Sequence, residues 1–449
     1  MVGILDGWNC DLGGTPLSIF QVNKEKPKPS PQLVGGITVL VMLFVALLYY
    51  SLSQPHMDFA YFYYAFQMIW HRQPASLLYD LAAQHNWFIQ RDFRIFPYNQ
   101  YLFPPQFAVV FSWFATFPFR VAMTIWAGMT VVLYFVGIWL LKRIVLRNQS
   151  SFLSGLFFLS ATLNFPFWWD LTVGNANTLV FFLVVLSLYL RYVRENDGLA
   201  GVSLGLAAVL KVSPEIFVLY LLFHREWRFL MGNVLTILAA TLFTAAVTGI
   251  SPLSYYVLHF SEFTTMSMKN GGIPYNSSLL GLLTTWQQRG FVNLTGSGAH
   301  ILFTLYLGLL LLISLGALWQ SRRLGHKDTR SALALGVLLI LLLSPLIEGP
   351  HLMLAFVAGW LAFATWWDNF VRKDQTLSAE TLANPKRHWA DIAAAVGFIY
   401  VMMVLSPLDW LLRSRFPAEY FYSLQVLFLL LVMLLVRRRL KFESSLIYS

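Results

Sequence analysis

Asp58 is the only charged residue in "MDFAYFYYAF" (57–66), and Phe59, Tyr61, Phe62, Tyr63 and Tyr64 follow it directly. Isolated polar residues interrupt apolar sequence at four more places. These are Asp170, Asn175 and Asn177 in "FPFWWDLTVGNANT", Lys211 and Glu215 in "LKVSPE", Asn276 and Ser277 in "GGIPYNSSLLG", and Glu348 and His351 in "LLLSPLIEGPHLM". A carboxylate with a lysine and a histidine suits acid–base work on a hydroxyl beside an anion. The Asp accepts a proton as general base, while the cations hold a phosphate and stabilise its charge as it leaves. Tyr63, with Tyr61 and Trp70, would stack on a sugar ring or line an apolar chain; the other use of such aromatics is an interfacial belt. HExxH, GxxxxGK[ST] and paired cysteines are all absent from the sequence, so the common metalloprotease and P-loop chemistries have no signature here.

Each residue also has a purely structural use. Asp58 could cap a helix, Lys211 could snorkel to an interface, and His351 could be a satisfied buried imidazole. Asn175, Asn177 and Asn276 could serve turns beside Gly174 and Pro274. What weighs against five such uses at once is where the chain places them.

The chain of 449 residues is 57% hydrophobic and 12% charged, with a mean hydropathy of +0.62; soluble domains carry about 25% charged residues. Apolar runs recur along its whole length, which reads as an all-α polytopic membrane protein. Spans are expected near 33–52, 121–141, 151–168, 177–193, 198–211, 213–224, 229–249, 300–319, 331–345, 351–367, 389–406 and 418–436. The segment 103–118 is apolar too, but its Pro-Pro start and Phe-Pro-Phe end leave it short, as an interfacial or re-entrant helix. The first thirty residues lack a basic region followed by an apolar one and read as a tail rather than a cleaved signal.

With the N-terminus inside, the loops expected on the inner face collect most of the 31 basic residues, as the positive-inside rule requires. The net charge of +10 is then topological, and no nucleic-acid partner is implied. Every one of the unusual polar groups falls on the opposite, outer face, in loops near 53–120 and 250–299 or in short turns between spans. Polar groups near hydrocarbon are costly and tend to be paired and functional. The single cysteine, Cys10, excludes a disulfide framework within the chain and a multi-cysteine metal site. The expected division is a cytoplasmic tail (1–32), one membrane domain (33–436) and a second cytoplasmic tail (437–449), in a plasma membrane with both termini inside.

The ordered motifs "MDFAYFYYAF…LLYD", "YLFPPQFAVVF", "VGNANTLVF", "GVSLGLAAVLKVSPEIFVLYLLFHREWR", "YNSSLLGLL" and "LLLSPLIEGPHLM" resemble the GT-C type integral membrane glycosyltransferases. Their nearest resemblance is to glycosyltransferase family 87, the polyprenyl-phosphate-mannose-dependent α-(1→2)-mannosyltransferases, over about residues 35 to 370. The family's GQxN reads here as Gly174-Asn175-Ala176-Asn177, its Lys-Pro as Lys211-Val-Ser-Pro214, and its Asn-Gln-Ser as Asn276-Ser277-Ser278. The resemblance implies a GT-C fold of about twelve transmembrane helices and a donor that carries a sugar on a polyprenyl phosphate. Asp58 would be the base in an inverting transfer to a hydroxyl of a glycolipid or glycan. His351 and Lys211 would contact the donor phosphate or sugar, with Asn175, Asn177, Asn276, Ser277, Glu348 and Tyr63 lining the site. No cofactor and no metal motif is expected. Two other readings remain: a transporter or flippase, which would be expected to show internal repeats and broken helices near the bilayer midplane, and a catalytically inactive member of the family.

Overall fold

The computed structural model describes residues 31–54, 56–93, 100–146, 151–260, 296–324, 329–344 and 346–374, with scattered positions between 276 and 290. Ser277, the last two expected spans, the C-terminal tail and nearly all of the N-terminal tail lie outside the described residues. The described residues contain helices and turns and no strand.

The chain forms two compact units, Met1–Val45 and Ala46–Ser449. Helix α1 (Pro31–Leu52) supplies the described part of the first unit, and its last turns open the second. Then come α2 (Met57–Trp70), α3 (Ala75–Leu78), α4 (Leu81–Ile89), α5 (Pro105–Phe111), a 3-10 turn (Ser112–Thr116) and α6 (Phe119–Val145). Helices α7 (Ser151–Thr162), α8 (Phe165–Val173), α9 (Asn177–Tyr192) and α10 (Asp197–Leu210) follow. A 3-10 turn (Ser213–Phe217) leads to α11 (Val218–His224), α12 (Trp227–Thr248) and α13 (Ser251–Leu258). The last described elements are α14 (Gly296–Leu324), α15 (Thr329–Leu342), a 3-10 turn (Gly349–Leu352) and α16 (Met353–Asp374).

Among the described residues, α6 and α12 are long and apolar enough to cross a membrane, with 27 and 22 residues. Helices α9, α10 and α15 are apolar but shorter, at 16, 14 and 14 residues, against the ~20 that a perpendicular span needs. Helices therefore stand where ten of the twelve spans were expected, and among the described residues two of them are both long and apolar enough to cross. The expected span 151–168 is interrupted. Pro166 has no N–H to donate and its ring clashes with the carbonyl four residues back, so α7 stops at Thr162, and Pro166 is tolerated in the first turn of α8, which starts afresh at Phe165. Segment 103–118 is short, with seven residues of α-helix entered through Pro104 and Pro105.

The aromatic residues after Asp58 form core. Trp126 of α6 lies 5.3–6.5 Å, centroid to centroid, from Phe59, Phe62, Phe66, Phe107, Phe111 and Phe114. That cluster fastens α2 to α5, to the 3-10 turn after it and to α6. A second fastening joins α10 to α12. A Cβ on Gly201 would lie 2.2 Å from the carbonyl oxygen of Phe229, and one on Gly232 would lie 2.6 Å from that of Gly198. Small residues at this crossing let two backbones touch, the device that packs helices in lipid. Elsewhere α12 turns Met231, Leu235, Leu238, Leu242 and Phe243 outward, each more than half exposed. So continuous an apolar face suits hydrocarbon and not water.

One end of α10 is tied by charge. Arg191 donates to both carboxylate oxygens of Glu226, at 2.9 and 3.1 Å, and lies 3.2 Å from Asp197. The opposite end of α10, 14 residues on, delivers Lys211.

Candidate active site

Helix α2 begins at a residue in the left-handed region, His56 (φ 45°), whose side chain makes no cap hydrogen bond. Asp58 is therefore not the N-cap. It lies in the first turn, where the helix dipole favours a carboxylate, and its Oδ2 accepts from Nδ2 of Asn175 at 2.6 Å.

Asn175 sits in the turn between α8 and α9, which Asp170 organises from both ends. The Asp170 carbonyl accepts the N–H groups of Gly174 and Asn175 at 2.9 and 3.0 Å, closing α8. Its carboxylate accepts the Asn177 and Thr178 N–H groups at 3.3 and 2.9 Å, capping α9. The Thr178 hydroxyl and the Asn177 amide also donate to it, at 2.7 and 3.1 Å. A buried carboxylate demands donors, and this fully buried one has four. Burial raises the Asp170 pKa, with the Thr178, Asn177 and Lys211 interactions pulling the other way.

The orientation of both asparagines follows. Asn177 Nδ2 faces Asp170 and donates also to Asn175 Oδ1 at 2.9 Å, so its Oδ1 is left to accept from Lys211 Nζ at 2.7 Å. Asn175 Oδ1 accepts from Asn177 and from the Ala176 N–H, leaving its Nδ2 for Asp58. A single polar chain thus runs from Lys211 through Asn177 and Asn175 to Asp58. Lys211 leaves α10 in extended conformation (φ −151°), and its ammonium lies 5.6 Å from the Phe103 ring centroid, within cation–π range.

Lys211 Nζ also meets Nε2 of His351. His351 belongs to the 3-10 turn that follows Glu348, and the two residues cap each other. The His351 Nδ1 accepts the Glu348 N–H at 2.7 Å, and the Glu348 carboxylate accepts the His351 N–H. Because Nδ1 accepts a backbone hydrogen, the proton of the neutral imidazole resides on Nε2. That N–H points at the lysine, so two donors converge on one place. The turn is pressed against α8, where a Cβ on Gly349 would lie 2.1 Å from the Trp169 ring.

Electrostatics set the state of the two acids. Asp58 is driven up to about 7 by burial first and by the negative charge of Glu348 second, against the hydrogen bond from Asn175. Glu348 is likewise raised by burial, against the pull of Lys211. An acid poised near neutrality serves a general base well, since it is both available and basic.

Of the residues expected from sequence, Asp58, Asn175, Asn177, Lys211, Glu348 and His351 come together. Asn276 plays a different part. Buried, it accepts the N–H groups of Ser278 and Ile347 on Oδ1, at 3.0 and 3.1 Å, and so braces the turn that carries Glu348 and His351. Tyr63 is not brought to the cluster. Its hydroxyl donates to the Phe117 carbonyl at 2.7 Å and its ring packs on Phe119 and Trp87. Of the other two rings expected to line a sugar site, Tyr61 is a core residue also, whereas Trp70 is exposed. Asp170 was visible in the sequence as an acid in apolar surroundings, seven residues before Asn177, but was not expected in the site. No group of three or more His, Cys, Asp or Glu able to hold a metal ion occurs among the described residues.

The sequence profile of glycosyltransferase family 87 matches residues 101–345, more than half of the chain. Asn175, Asn177, Lys211 and Asn276 lie inside that match, whereas Asp58, Glu348 and His351 lie outside it. No curated protein and no solved structure matches the chain.

Proposed function

The chain belongs to glycosyltransferase family 87, a membrane glycosyltransferase by family and by its apolar helices, and on that premise we propose an inverting transfer of a sugar, mannose, from a polyprenyl phosphate. The acceptor is a hydroxyl of a glycolipid or glycan, met at the outer face of the plasma membrane with both chain termini inside. Asp58 takes the proton of the acceptor hydroxyl as that oxygen bonds to the anomeric carbon. The bond from the anomeric carbon to the phosphate oxygen breaks with its electron pair, and polyprenyl phosphate departs already ionised, needing no general acid. Displacement from the opposite side converts a β-linked donor into an α-linked product.

The observation that carries this reading is the convergence of the Lys211 ammonium and the His351 Nε2–H. An ammonium and an imidazole N–H are both donors from which a phosphate oxygen can accept. The same hydrogen-bonded chain ends on Asp58, so the group that holds the leaving phosphate is linked to the group that activates the nucleophile. Asn177 and Asn175 position the two.

The test is a donor panel. Purified protein in nanodiscs is given polyprenyl-phosphate sugars with a membrane glycolipid extract as acceptor, and the products are identified by mass spectrometry. Lipid-phosphate mannose should yield a mannosylated lipid, and Lys211→Met should weaken donor binding about tenfold or more, the loss of a charge-assisted hydrogen bond. Transfer from a nucleotide sugar alone, or unchanged donor binding in Lys211→Met, would refute the phosphate assignment.

A further inference from the structure

Asp58 and Asn175 belong to separate segments, 117 positions apart. Besides the Thr172–Ser51 hydrogen bond at 3.1 Å, a close contact stands just behind them. His56 opens α2 with φ 45° and Gly174 ends α8 with φ 72°, so two left-handed residues stand face to face. A Cβ on Gly174 would lie 2.8 Å from Cβ of Phe59 and 3.3 Å from Cβ of His56. Gly174 therefore meets both demands for glycine at once, the positive φ and the close approach. His56 is fully buried, and its Nδ1 lies 2.6 Å from the Gln54 carbonyl, which accepts its proton and locks the ring across the entrance to α2. A histidine with positive φ is an uncommon backbone state, and such states persist where surrounding structure over-determines them.

We infer that His56 and Gly174 are positioning residues, forming a clasp that seats the first turn of α2 against the α8–α9 turn and so holds Asn175 on Asp58. Asn175 donates to the ionised carboxylate and favours it. Opening the clasp removes that donor while the Glu348 and Asp170 charges and the Lys211 ammonium still face Asp58. The mark of an opened clasp is thus an Asp58 that ionises at higher pH, which a merely destabilised fold would not produce.

The inference uses the site of the proposed transfer, but its test needs no substrate. Infrared difference spectra of the full chain in nanodiscs are titrated with pH, and the Asp58 carboxyl band is identified by its loss in Asp58→Asn. Gly174→Ala should raise the titration midpoint by about one unit, the size of one hydrogen bond to a charged group. Asn175→Ala should raise it equally, and the double variant no further. His56→Ala, which keeps the Cβ but releases the ring from Gln54, should move it the same way by less, and stands in if Gly174→Ala does not fold. An unchanged midpoint in both clasp variants, or fully additive shifts in the double variant, would overturn the clasp. Failure of sugar transfer by the wild-type chain would instead strike the proposed function and leave this result standing.

Discussion

In the transfer we propose, Asp58 acts as the base because its surroundings hold it near neutrality. Burial and the Glu348 charge raise its pKa to about 7, so it is protonated and unable to act as base below that value. The expected outcome is a kcat/KM for transfer that falls tenfold per pH unit below about 7, since kcat/KM reports groups of the free enzyme. A flat profile from pH 5 to 8 would remove Asp58 from that role. Most of these residues are legible in sequence because a lone acid, amide or base in apolar surroundings is costly unless it is used. What the sequence shows is the type of a side chain, while its direction comes from the backbone. Tyr63 stands five positions after Asp58, and at 100° per residue it projects about 140° away around α2, into the aromatic core. Asn276 looked like a ligand contact because its partner, the Ile347 N–H, is 71 positions away and leaves no mark in the local sequence.

Helix α10 is the element on which the site depends most. Its far end is held by the Arg191–Glu226–Asp197 ion pairs, its middle lies on α12 through Gly201, and its last residue hands over to Lys211. Leucine at Gly201 would force α10 and α12 apart, because even its Cβ would reach within 2.2 Å of the Phe229 carbonyl oxygen. Gly201→Leu should cost about 3 kcal/mol or more, seen as a lowered thermal midpoint of the purified protein. Gly128→Ala in α6, where a Cβ meets nothing within 4 Å, should leave that midpoint unchanged or raise it slightly. A Gly201→Leu protein as stable as the wild type would contradict the close crossing. Helices α9, α10 and α12 are readable from hydrophobic runs and their polar ends to within a few residues. The break between α7 and α8 depends on Pro166 outweighing an apolar run that continues across it, and the 3-10 start at Ser213–Phe217 has the same cause in Pro214.

For the whole molecule, the arrangement places ionic locks and catalytic-type polar groups at opposite ends of α10. The outward apolar face of α12 suits contact with lipid. Fold class was open to reading because hydropathy is a property of long stretches. Assembly of the site was less so, since α2, the α8–α9 turn, the end of α10 and the turn before α16 meet only in three dimensions. In the transfer we propose, their union puts the base at one end of a hydrogen-bonded chain and the phosphate seat at the other. The decisive measurement is transfer of radiolabelled mannose from polyprenyl phosphate by wild-type and Asp58→Asn protein in nanodiscs, with donor binding measured in parallel. The expected result is an α-linked product from the wild type and transfer reduced at least a hundredfold in Asp58→Asn, with donor still bound. Undiminished transfer by Asp58→Asn, or a product that retains the donor configuration, would contradict the assignment of Asp58 as the base.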